Sequence, residues 1–420
     1  MKNYLGPLPN KSQLRYHKEK LACFMHFGMN TFNDKEWGDG KEELSSFTLK
    51  EFDFDDYISF IKEIGFKRLI FTAKHHDGFC MWNTKYSEHN VMNTPYGRDF
   101  LEELSSACTK HDMDMGIYLS PWDVHEKTYG EGEAYNEYYQ NQLKEICENP
   151  KYGNNGKFVE WWFDGAKDPA FVDQTYNFDK WMDIVKKSNP EIIMFGVGSF
   201  GGIHWVGNEK GFSMDPNTLR LKKNILEINY EIDFNIKKGH DDKYIWSVPE
   251  CDTSATSGWF WHEDEKVKSK SELIEIVERS IGMSSVLLLN IAPNIDGKIP
   301  ENVKNNIREV KKHFDNLLRN EISNYKSTEC ISDEMSVYEI EFDKKENLNM
   351  IIISEDISKG QRIVGAKVFL DGKLFKEINS VGLNRMISLE NSGCKNLKIE
   401  FESVAEIKIL GVKIFAQDLN

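Results

Sequence analysis

The sequence is poor in the features that mark membrane, disulfide-rich and nucleic-acid-binding proteins. No apolar segment approaches the roughly 20 residues needed to cross a bilayer. The seven cysteines are scattered, odd in number and without a CxxC pair, which excludes a disulfide framework and a thiolate zinc site. Lys and Arg total 53 against 68 Asp and Glu, and the net charge of -15 disfavours a nucleic-acid partner.

The amino terminus shows no secretory signal. It has one Lys and none of the apolar core, roughly 7 to 15 residues long, that defines a secretory signal peptide. We therefore expect a soluble globular protein in a reducing, cytoplasmic compartment, with no membrane partner. A trimmed form of a secreted chain would look the same.

The aromatic content points to a sugar ligand. The 420 residues include 10 Trp, and aromatic residues make up 12% of the chain. Aromatic side chains beyond what a core needs are typical of sites that grip flat apolar faces, and sugars have such faces. A chain of this length holds two or three domains at roughly 100 to 200 residues each.

Seven short apolar runs alternate with amphipathic helical stretches over most of the chain. The amphipathic stretches predict helices at 53–65, 99–112, 178–188, 271–283 and 301–320. This alternation is typical of parallel strands joined by crossover helices. Each run ends in polar or aromatic residues, as expected where strand ends form the active face of a (β/α)8 barrel. A doubly wound sheet is the alternative, but no glycine-rich turn follows the first run. The runs lie at 21–28, 68–75, 114–121, 157–164, 191–198, 243–250 and 285–292.

The pattern changes after residue 324 to alternation of apolar and polar residues without helix signals. The Asp371–Gly372 pair between two such segments predicts a hairpin turn. We therefore predict a (β/α)8-like TIM barrel, residues 1–324, followed by an antiparallel β-sandwich, residues 325–420. The second domain contains no Trp and no His, so we interpret it as structural rather than as a lectin module.

The densest cluster of reactive side chains is Lys74-His75-His76-Asp77, at the end of the second run. Adjacent side chains on an extended strand point to opposite faces, which disfavours one metal bound by both histidines. A general base is a second interpretation. We favour hydrogen bonding of a polyhydroxylated ligand by neutral imidazoles, with an ordinary core histidine as the plain alternative for one of the two.

Other candidate side chains follow the first and third runs. His26 ends the first run, and Glu36 and Trp37 lie in the loop after it. A histidine in that place is as often structural as functional. Tyr118 lies near the end of the third run and Trp122 directly follows it, where Trp122 could equally pack beneath the loop.

Two acidic positions suit glycoside hydrolysis. Asp164 ends the fourth run before Gly165 and Ala166, which leave space for a substrate, although a helix N-cap is the alternative. Glu160 lies lower in the barrel and is interpreted as structural. Hydrolysis needs a second carboxylic acid, about 5 Å from the first in retaining enzymes. Glu209 and Glu250 both reach the barrel mouth, and spacing alone does not choose between them.

Five motifs occur in the order found in one enzyme family. With them the chain resembles the α-L-fucosidases of glycoside hydrolase family 29, and the resemblance covers the whole barrel. It implies the β-sandwich behind the barrel and a retaining enzyme that needs no cofactor or metal. The motifs are His26-Phe27-Gly28, Glu36-Trp37, Lys74-His75-His76-Asp77-Gly78-Phe79, Tyr118-Leu119-Ser120-Pro121-Trp122 and Trp162-Phe163-Asp164-Gly165.

The resemblance also implies residue roles and a fucosylated oligosaccharide as substrate. Asp164 is the implied nucleophile, and Glu209 is the implied acid/base because it follows Asp164 at the family's usual separation, unlike Glu250. Trp259 is a further candidate for the apolar wall of the sugar site. The implied fucose-binding residues are His26, Glu36, Trp37, His75, His76, Tyr118 and Trp162.

Finer features resemble the subgroup that cleaves α-1,3/1,4-fucosyl linkages of Lewis-type glycans. They are HWVGNEKG, PECDTSATSGWFWH and LLLNIAPNIDG. The subgroup often has Arg where this chain has His204, and Arg-Pro where it has Thr256–Ser257. The alternatives are a broad-specificity fucosidase or transfucosidase, a metal-dependent hydrolase using His75, His76 and Asp77, and a non-catalytic fucose-binding protein.

Overall fold

The computed structural model describes residues 6–225, 236–237, 241–331 and 335–416. Within these ranges, ten strands lie in the segment predicted to be the barrel. They are β1 (Leu21–Met25), β2 (Arg68–Lys74), β3 (Asp114–Leu119), β4 (Glu160–Trp162), β5 (Ile193–Phe195), β6 (Ile203–Trp205), β7 (Arg220–Lys222), β8 (Tyr244–Trp246), β9 (Val248–Ser254) and β10 (Val286–Asn290).

Eight of these strands form one sheet in the order β5-β4-β3-β2-β1-β10-β9-β6. Every pairing along that order is parallel. An isolated parallel bridge between Met194 and Gly202 links the two end strands, where the Met194 N–H donates to the carbonyl of Gly201 at 2.8 Å. The predicted (β/α)8-like barrel is confirmed.

The sequence prediction missed one barrel strand and misplaced another. β6 has only three residues, too few to show any period, and no run was predicted there. The run at 243–250 covers two strands: β8, which pairs antiparallel with β7, and the first part of β9, which is the barrel strand. Only Ser247 separates β8 from β9, so the two read as one apolar segment.

Among the described residues, one helix precedes the first barrel strand, and the others lie between and after the barrel strands. α3 shows why they form where they do: the Asp53 side chain accepts from the N–H of Asp56, and Gly65 closes the helix at φ 114°. The predicted helices 53–65, 99–112, 178–188, 271–283 and 301–320 are confirmed as α3, α4, α6, α7 and α8. The described helices are α1 (Lys11–Glu19), α2 (Met29–Asn33), α3 (Phe54–Ile64), α4 (Phe100–Lys110), α5 (Glu133–Glu148), α6 (Phe178–Ser188), α7 (Lys270–Arg279) and α8 (Glu301–Leu317).

Two packed layers fix the direction of the strand side chains. Inside the ring, Phe24, Ile70 and Trp162 belong to one apolar cluster. Their neighbours Cys23 and Leu69 point outward into the larger cluster beneath the helices. Inward side chains near the carboxyl ends of the strands therefore project into the mouth of the barrel.

The bottom of the barrel interior is closed by a buried ion pair. Glu160, interpreted from the sequence as structural, is fully buried and accepts from the Arg68 guanidinium at 2.7 Å. Arg68 also pairs with Glu19 at 2.8 Å. Removing one partner of such a pair would leave an uncompensated buried charge.

Six antiparallel strands follow within the described residues, and they confirm the predicted β-sandwich. The two halves of β12 are separated by a register shift between Glu341 and Glu346, and both contribute to one apolar core. Asp371 and Gly372, with φ of 46° and 78°, form the predicted hairpin turn. The strands are β11 (Tyr325–Ile331), β12 (Met335–Glu355), β13 (Ile363–Leu370), β14 (Lys373–Ile378), β15 (Arg385–Ser403) and β16 (Ile409–Ala416).

The sandwich contacts the barrel at the segment between β6 and β7. Gln361 accepts from the N–H of Leu219 at 3.0 Å and donates to the carbonyl of Asn217 at 2.9 Å. The predicted boundary at 324/325 stays a prediction, and residues 1–5 and 417–420 of the predicted domains lie outside the described residues. None of the helices described above is long and apolar enough to span a membrane.

Candidate active site

The mouth of the barrel holds a cavity of about 280 Å³. Its lining comes from the ends of β1 to β6 and β9 and from the loops after them, where a barrel of this kind presents reactive groups. The sequence predictions for these strand ends thus converge on one place. The lining residues are Phe24, His26, Trp37, His75, His76, Tyr118, Trp162, Asp164, Gly165, Ala166, Phe195, Trp205, Glu209, Asp252 and Trp259.

Asp164 lies just after β4 with its carboxylate held at two oxygens. The Tyr118 hydroxyl donates to Oδ2 at 2.8 Å, and the N–H of Ala166 donates to Oδ1 at 2.8 Å. The side chain is 21% exposed, and Nε2 of His76 lies 3.6 Å from Oδ2. No helix begins here, so the N-cap alternative for Asp164 does not apply to this part of the structure.

His26 presents a hydrogen-bond acceptor to the cavity. Its backbone N–H and its ring Nδ1 both contact Oδ1 of Asn290, at 3.1 and 2.9 Å. Since an amide oxygen only accepts, Nδ1 carries the proton and Nε2 keeps its lone pair. Burial lowers the pKa of His26 to about 3, so the ring is neutral at ordinary pH.

The expectation that His75 and His76 point to opposite faces is wrong. Both rings line the cavity, with centroids 4.1 Å apart. The physical reason is that β2 ends at Lys74 after a register shift beyond Thr72, so the backbone leaves the extended conformation before the two histidines. The argument from strand alternation does not hold at these positions.

His75 and His76 carry their ring protons on different nitrogen atoms. Ser120 donates its hydroxyl hydrogen to the carbonyl of Trp122 at 2.6 Å, so at 2.7 Å from Nδ1 of His76 its oxygen must accept. His76 therefore offers the lone pair of Nε2. In contrast, the Asn30 amide N–H lies 3.4 Å from Nδ1 of His75, which makes Nδ1 the acceptor and Nε2 the proton carrier.

Burial keeps both rings neutral. It lowers the pKa of His76 to about 4, against the opposing charges of Asp164 and Asp123. It lowers the pKa of His75 well below the ordinary value, helped by the neighbouring histidines. The cavity thus holds two imidazole acceptors and one imidazole donor, a set suited to the hydroxyl groups of an uncharged ligand.

Glu209 and Glu250, the two candidates for the second acid, lie in different surroundings. Glu209 follows β6 and lines the cavity. Partial burial raises its pKa, as do the charges of Asp164 and Glu36, against a hydrogen bond with Trp259. Glu250 is fully buried and accepts from the indole of Trp162 at 2.8 Å, below the cavity lining.

Aromatic rings form the floor and walls of the cavity. Trp162 stacks on Phe195 with centroids 3.8 Å apart, and Tyr118 stacks on the other side at 5.6 Å. Trp37 is 50% exposed at the rim. Trp259 lies 5.1 Å from the ring of His26. This arrangement suits the apolar faces of a sugar ring.

Two predicted side chains lie behind the cavity rather than in its lining. Glu36 accepts from the N–H groups of Trp259 and Phe260 at 2.9 and 3.2 Å and pairs with His262 at 2.6 Å. Its predicted contact with sugar stays a prediction. Trp122 is 4% exposed and packs against His76 at 4.8 Å, in agreement with the packing interpretation.

Sequence reasoning missed Asp252 and Trp205, which belong to the wall formed by β9 and β6. Inward residues of β9 act as acceptors at successive levels: Glu250 for Trp162, and Asp252 for the indole of Trp205 at 2.8 Å. Ser254 then accepts from the Asn290 side chain at 3.0 Å. The alternation Glu, Asp, Ser in PECDTS was the available signal, but the predicted run ended at Glu250.

The arrangement of charge and donors is that of a glycoside-cleaving site. A partly exposed carboxylate, a second carboxyl group of raised pKa, neutral hydrogen-bonding rings and stacked aromatic residues meet in one cavity. Among the described residues, no three His, Cys, Asp or Glu side chains are grouped so as to hold a metal ion. The side chain of Asp77 instead accepts from the N–H of Phe79 at 2.8 Å.

Comparison with known proteins gives one consistent family. Residues 8–316 match the family model described as alpha-L-fucosidase. Alpha-L-fucosidase 1 of Arabidopsis thaliana is 32% identical over 441 residues, which cover 96% of this chain and 84% of the plant protein. The crystal structure of SpGH29 superposes with a TM-score of 0.93 at 32% identity and covers 100% of both chains. A Ruminococcus gnavus GH29 fucosidase in complex with fucose has a TM-score of 0.88 at 32% identity, over 100% of this chain and 97% of that one.

Proposed function

The chain belongs to the α-L-fucosidase family of glycoside hydrolases, GH29, and we propose that it removes terminal α-L-fucose from oligosaccharides or glycoconjugates with retention of configuration. The observation that carries the proposal is the presence of Asp164 and Glu209 in one cavity with three neutral histidines. Fucose is uncharged, so neutral donors and acceptors match its hydroxyl groups.

In the first step the ionised Asp164 attacks the anomeric carbon. Glu209 gives its proton to the glycosidic oxygen, the bond to the leaving sugar breaks, and a fucosyl-aspartate ester forms. The hydrogen bonds from Tyr118 and Ala166 fix the carboxylate for attack. They hold Asp164 in position without adding a positive charge that would weaken the nucleophile.

In the second step Glu209 removes a proton from water, and the water oxygen displaces Asp164 from the anomeric carbon. The raised pKa of Glu209, caused by partial burial and by the charges of Asp164 and Glu36, suits a group that must first give and then take a proton. Ester formation removes the charge of Asp164, which lowers the proton affinity of Glu209 when it must act as a base.

The cavity also supports removal of a single terminal sugar. Its volume of about 280 Å³ lies near the lower end of ligand pockets, roughly 300 to 1,000 Å³, and suits one ring. The remainder of a branched glycan would lie outside, beyond the exposed edge of Trp37. The enzyme is therefore proposed to be an exo-fucosidase.

The test compares fucose release by the wild type with that by Asp164→Ala and Glu209→Ala, with EDTA present throughout. We expect Asp164→Ala to lose about 10⁴-fold or more in kcat while fucose still binds. Asp168→Ala is the matched control, because Asp168 is an exposed carboxylate on the same loop, and it should retain activity. Near-normal hydrolysis by Asp164→Ala would contradict the assignment.

Glu209→Ala tests the acid/base role separately. We expect it to slow fucose release from Lewis-type oligosaccharides, whose leaving groups need a proton, by about 10²-fold or more, and to form α-fucosyl azide when azide is added, because azide enters from the face that the leaving sugar has vacated. Glu250→Gln keeps a side-chain oxygen for the indole of Trp162 and should show neither effect. If Glu250→Gln showed both effects, the acid/base assignment would move to Glu250.

The proposed linkage specificity is α-1,3/1,4, on Lewis-type glycans. The subgroup-like segments support it, and His204, which differs from the subgroup, points away from the cavity to Ser247 at 3.0 Å. Lewis a and Lewis x trisaccharides should be cleaved, whereas 2'-fucosyllactose and an aryl fucoside should not. Release from all of them would leave a broad fucosidase. Loss of activity in EDTA would favour a metal enzyme, and binding without turnover would favour a silent binder.

A further inference from the structure

Three exposed apolar side chains lie beside the mouth of the cavity. Trp37, which also lines the cavity, is 50% exposed, Phe171 is 38% exposed and Val172 is 53% exposed. We call these three side chains the apolar ridge. Phe171 and Val172 belong to the segment between β4 and α6, in which Gly165 and Ala166 also line the cavity. The apolar ridge is therefore continuous with the cavity.

Buried aromatic rings pack against the apolar ridge. The buried ring of Trp122 contacts both Trp37 and Phe171, with centroids 5.1 and 5.8 Å away. The buried ring of Tyr129 lies 5.6 Å from that of Phe171. Phe171 is thus supported by two buried rings while part of its own ring faces solvent.

The segment that carries Phe171 and Val172 is fixed by hydrogen bonds. The buried side chain of Gln174 accepts from the N–H groups of Gly130 and Gly132 at 3.0 and 3.1 Å. It also donates to the carbonyl of Gly132 at 2.9 Å. Val172 packs directly on Gly130, where an added Cβ would lie 2.7 Å from a methyl carbon of the valine. A fixed backbone therefore presents these apolar side chains to solvent, as expected of an interaction site.

The position and charge of the apolar ridge favour a neutral sugar as its occupant. The cavity, at about 280 Å³, suits one ring, so the sugar that bears the fucose lies outside it, beside Trp37. One face of a pyranose consists of C–H groups and stacks on exposed aromatic rings. The nearby charges of Lys167 and Asp173 pair with each other at 2.6 Å, which leaves the surface around Phe171 without a net charge to attract an ionic partner.

We propose that the apolar ridge binds the leaving sugar of the substrate, a neutral pyranose, by stacking on Trp37 and Phe171. Val172 extends the apolar surface, and none of the three side chains takes part in making or breaking bonds. The ridge thereby favours fucosylated oligosaccharides over small fucosides. This inference rests on the proposed function, because the adjoining cavity is taken as the fucose site.

Phe171→Ala is the direct test, with a Lewis x trisaccharide as substrate. We expect KM to rise about five- to tenfold while kcat stays within about twofold, because the stacking contact is the same in the bound substrate and in the transition state. The Kd for free L-fucose should keep its wild-type value, since fucose lies in the cavity. Phe375→Ala is the matched control, because it removes a phenylalanine of similar exposure, 39%, from β14 of the sandwich.

Phe171→Tyr keeps an aromatic face and should retain the wild-type KM. A KM for the trisaccharide that is equal in Phe171→Ala and the wild type overturns the proposal. A matching rise in the Kd for free fucose also overturns it, because Phe171 would then shape the fucose cavity instead of binding the leaving sugar.

Calorimetry tests the apolar ridge without turnover. The Kd for the intact trisaccharide is measured in Asp164→Ala and in the same variant carrying Phe171→Ala, and we expect it to weaken about five- to tenfold. Val172→Ser is a second variant of the ridge and should weaken this Kd by about twofold. Equal Kd values in all three proteins overturn the inference about the ridge, whereas absence of fucose release by the wild type from every substrate overturns the proposed function alone.

Discussion

At the scale of single residues, the position of protons decides what the cavity can bind. The ring N–H of His26 donates to Asn290, and the ring N–H of His76 donates to Ser120. Both partners lie behind the cavity. Nε2 of each of these two rings therefore presents a lone pair to the cavity, whereas Nε2 of His75 carries a proton. A hydroxyl group both donates and accepts, so this mixture of neutral groups binds sugars without attracting anions or cations.

Ser120→Ala tests this reading of the protons. Without the serine oxygen, Nδ1 of His76 loses its acceptor, and the proton can move to Nε2, where the carboxylate of Asp164 lies 3.6 Å away. The imidazole then competes with the substrate for Asp164. We expect kcat/KM for fucose release to fall by about tenfold, a little more than one neutral hydrogen bond is worth.

Ser120→Thr provides the control because it retains the hydroxyl group, and it should remain close to the wild type in kcat/KM. If Ser120→Ala hydrolysed fucosides as fast as the wild type, the assigned proton on Nδ1 of His76 would be wrong. Thermal unfolding of both variants separates this effect from a loss of stability.

Much of the candidate site was predictable at this scale, and the exceptions have physical causes. His26, Tyr118, Trp162 and Asp164 could be predicted as site residues because they lie at strand ends, which the barrel fold brings together. The relation of His75 to His76 was not predictable, since it depends on where β2 stops being extended. Asp252 was missed because strand β9 continues beyond the apolar run that the sequence shows.

At the scale of elements, two loops distant in sequence close one side of the cavity. Glu36, from the loop after α2, binds the backbone of Trp259 and Phe260 after β9. His262 bridges Glu36 and Asp34 at 2.6 and 2.7 Å. Trp259 therefore owes its place beside His26 to a carboxylate more than 200 residues away in the chain.

This loop contact should depend on pH through His262. Burial alone would lower its pKa, but hydrogen bonds to the carboxylates of Glu36 and Asp34 outweigh burial and raise it above the ordinary value of 6.5. A raised folded pKa means that the contribution to stability is complete below 6.5 and is lost as pH rises through the folded pKa. We expect fucose affinity to weaken over that range.

The measurement is the Kd for fucose by calorimetry across pH, in the wild type and in His262→Gln. The difference between the two should shrink as pH rises, because the wild type approaches the uncharged variant. Asp252, whose pKa burial raises to about 8, titrates in both proteins and cancels in the comparison. A difference that stays constant with pH would mean that the charge of His262 has no part in holding the loop.

Element type was more predictable than element length. Helix α3 could be predicted from its N-cap aspartate, its regular apolar period and its terminal glycine. α5 did not, because it buries polar and tyrosine side chains such as Asn136, Tyr139 and Gln142. The three-residue strand β6 could not be predicted for a different reason. It is a strand because it pairs with β9, which lies 43 or more residues further along the chain.

At the scale of the whole molecule, the sandwich braces the segment that leads away from Glu209. Gln361 is 2% exposed and satisfies two backbone groups between β6 and β7, on Asn217 and Leu219. Ser380 accepts from the N–H of Asn217 at 3.0 Å. The second domain, predicted as structural, thus contacts the same connection that carries the proposed acid/base.

Gln361→Ala should destabilise the protein by about 2 kcal/mol, because it leaves a buried N–H and a buried carbonyl without partners. The exposed neighbour Lys359 supplies the control, and Lys359→Ala should unfold at the wild-type denaturant concentration. Urea unfolding followed by circular dichroism gives both values. Equal midpoints for Gln361→Ala and the wild type would show that this contact does not hold the two domains together.

The order of the barrel strands has a consequence for how the protein is made. β1 pairs with β2 on one side and with β10 on the other, so β1 waits until Asn290 has been synthesised before its second edge can be covered. At the usual rates of synthesis that wait is on the order of tens of seconds. During this time the nascent chain carries an open edge of the sheet, and binding of a chaperone would protect it from pairing with another chain.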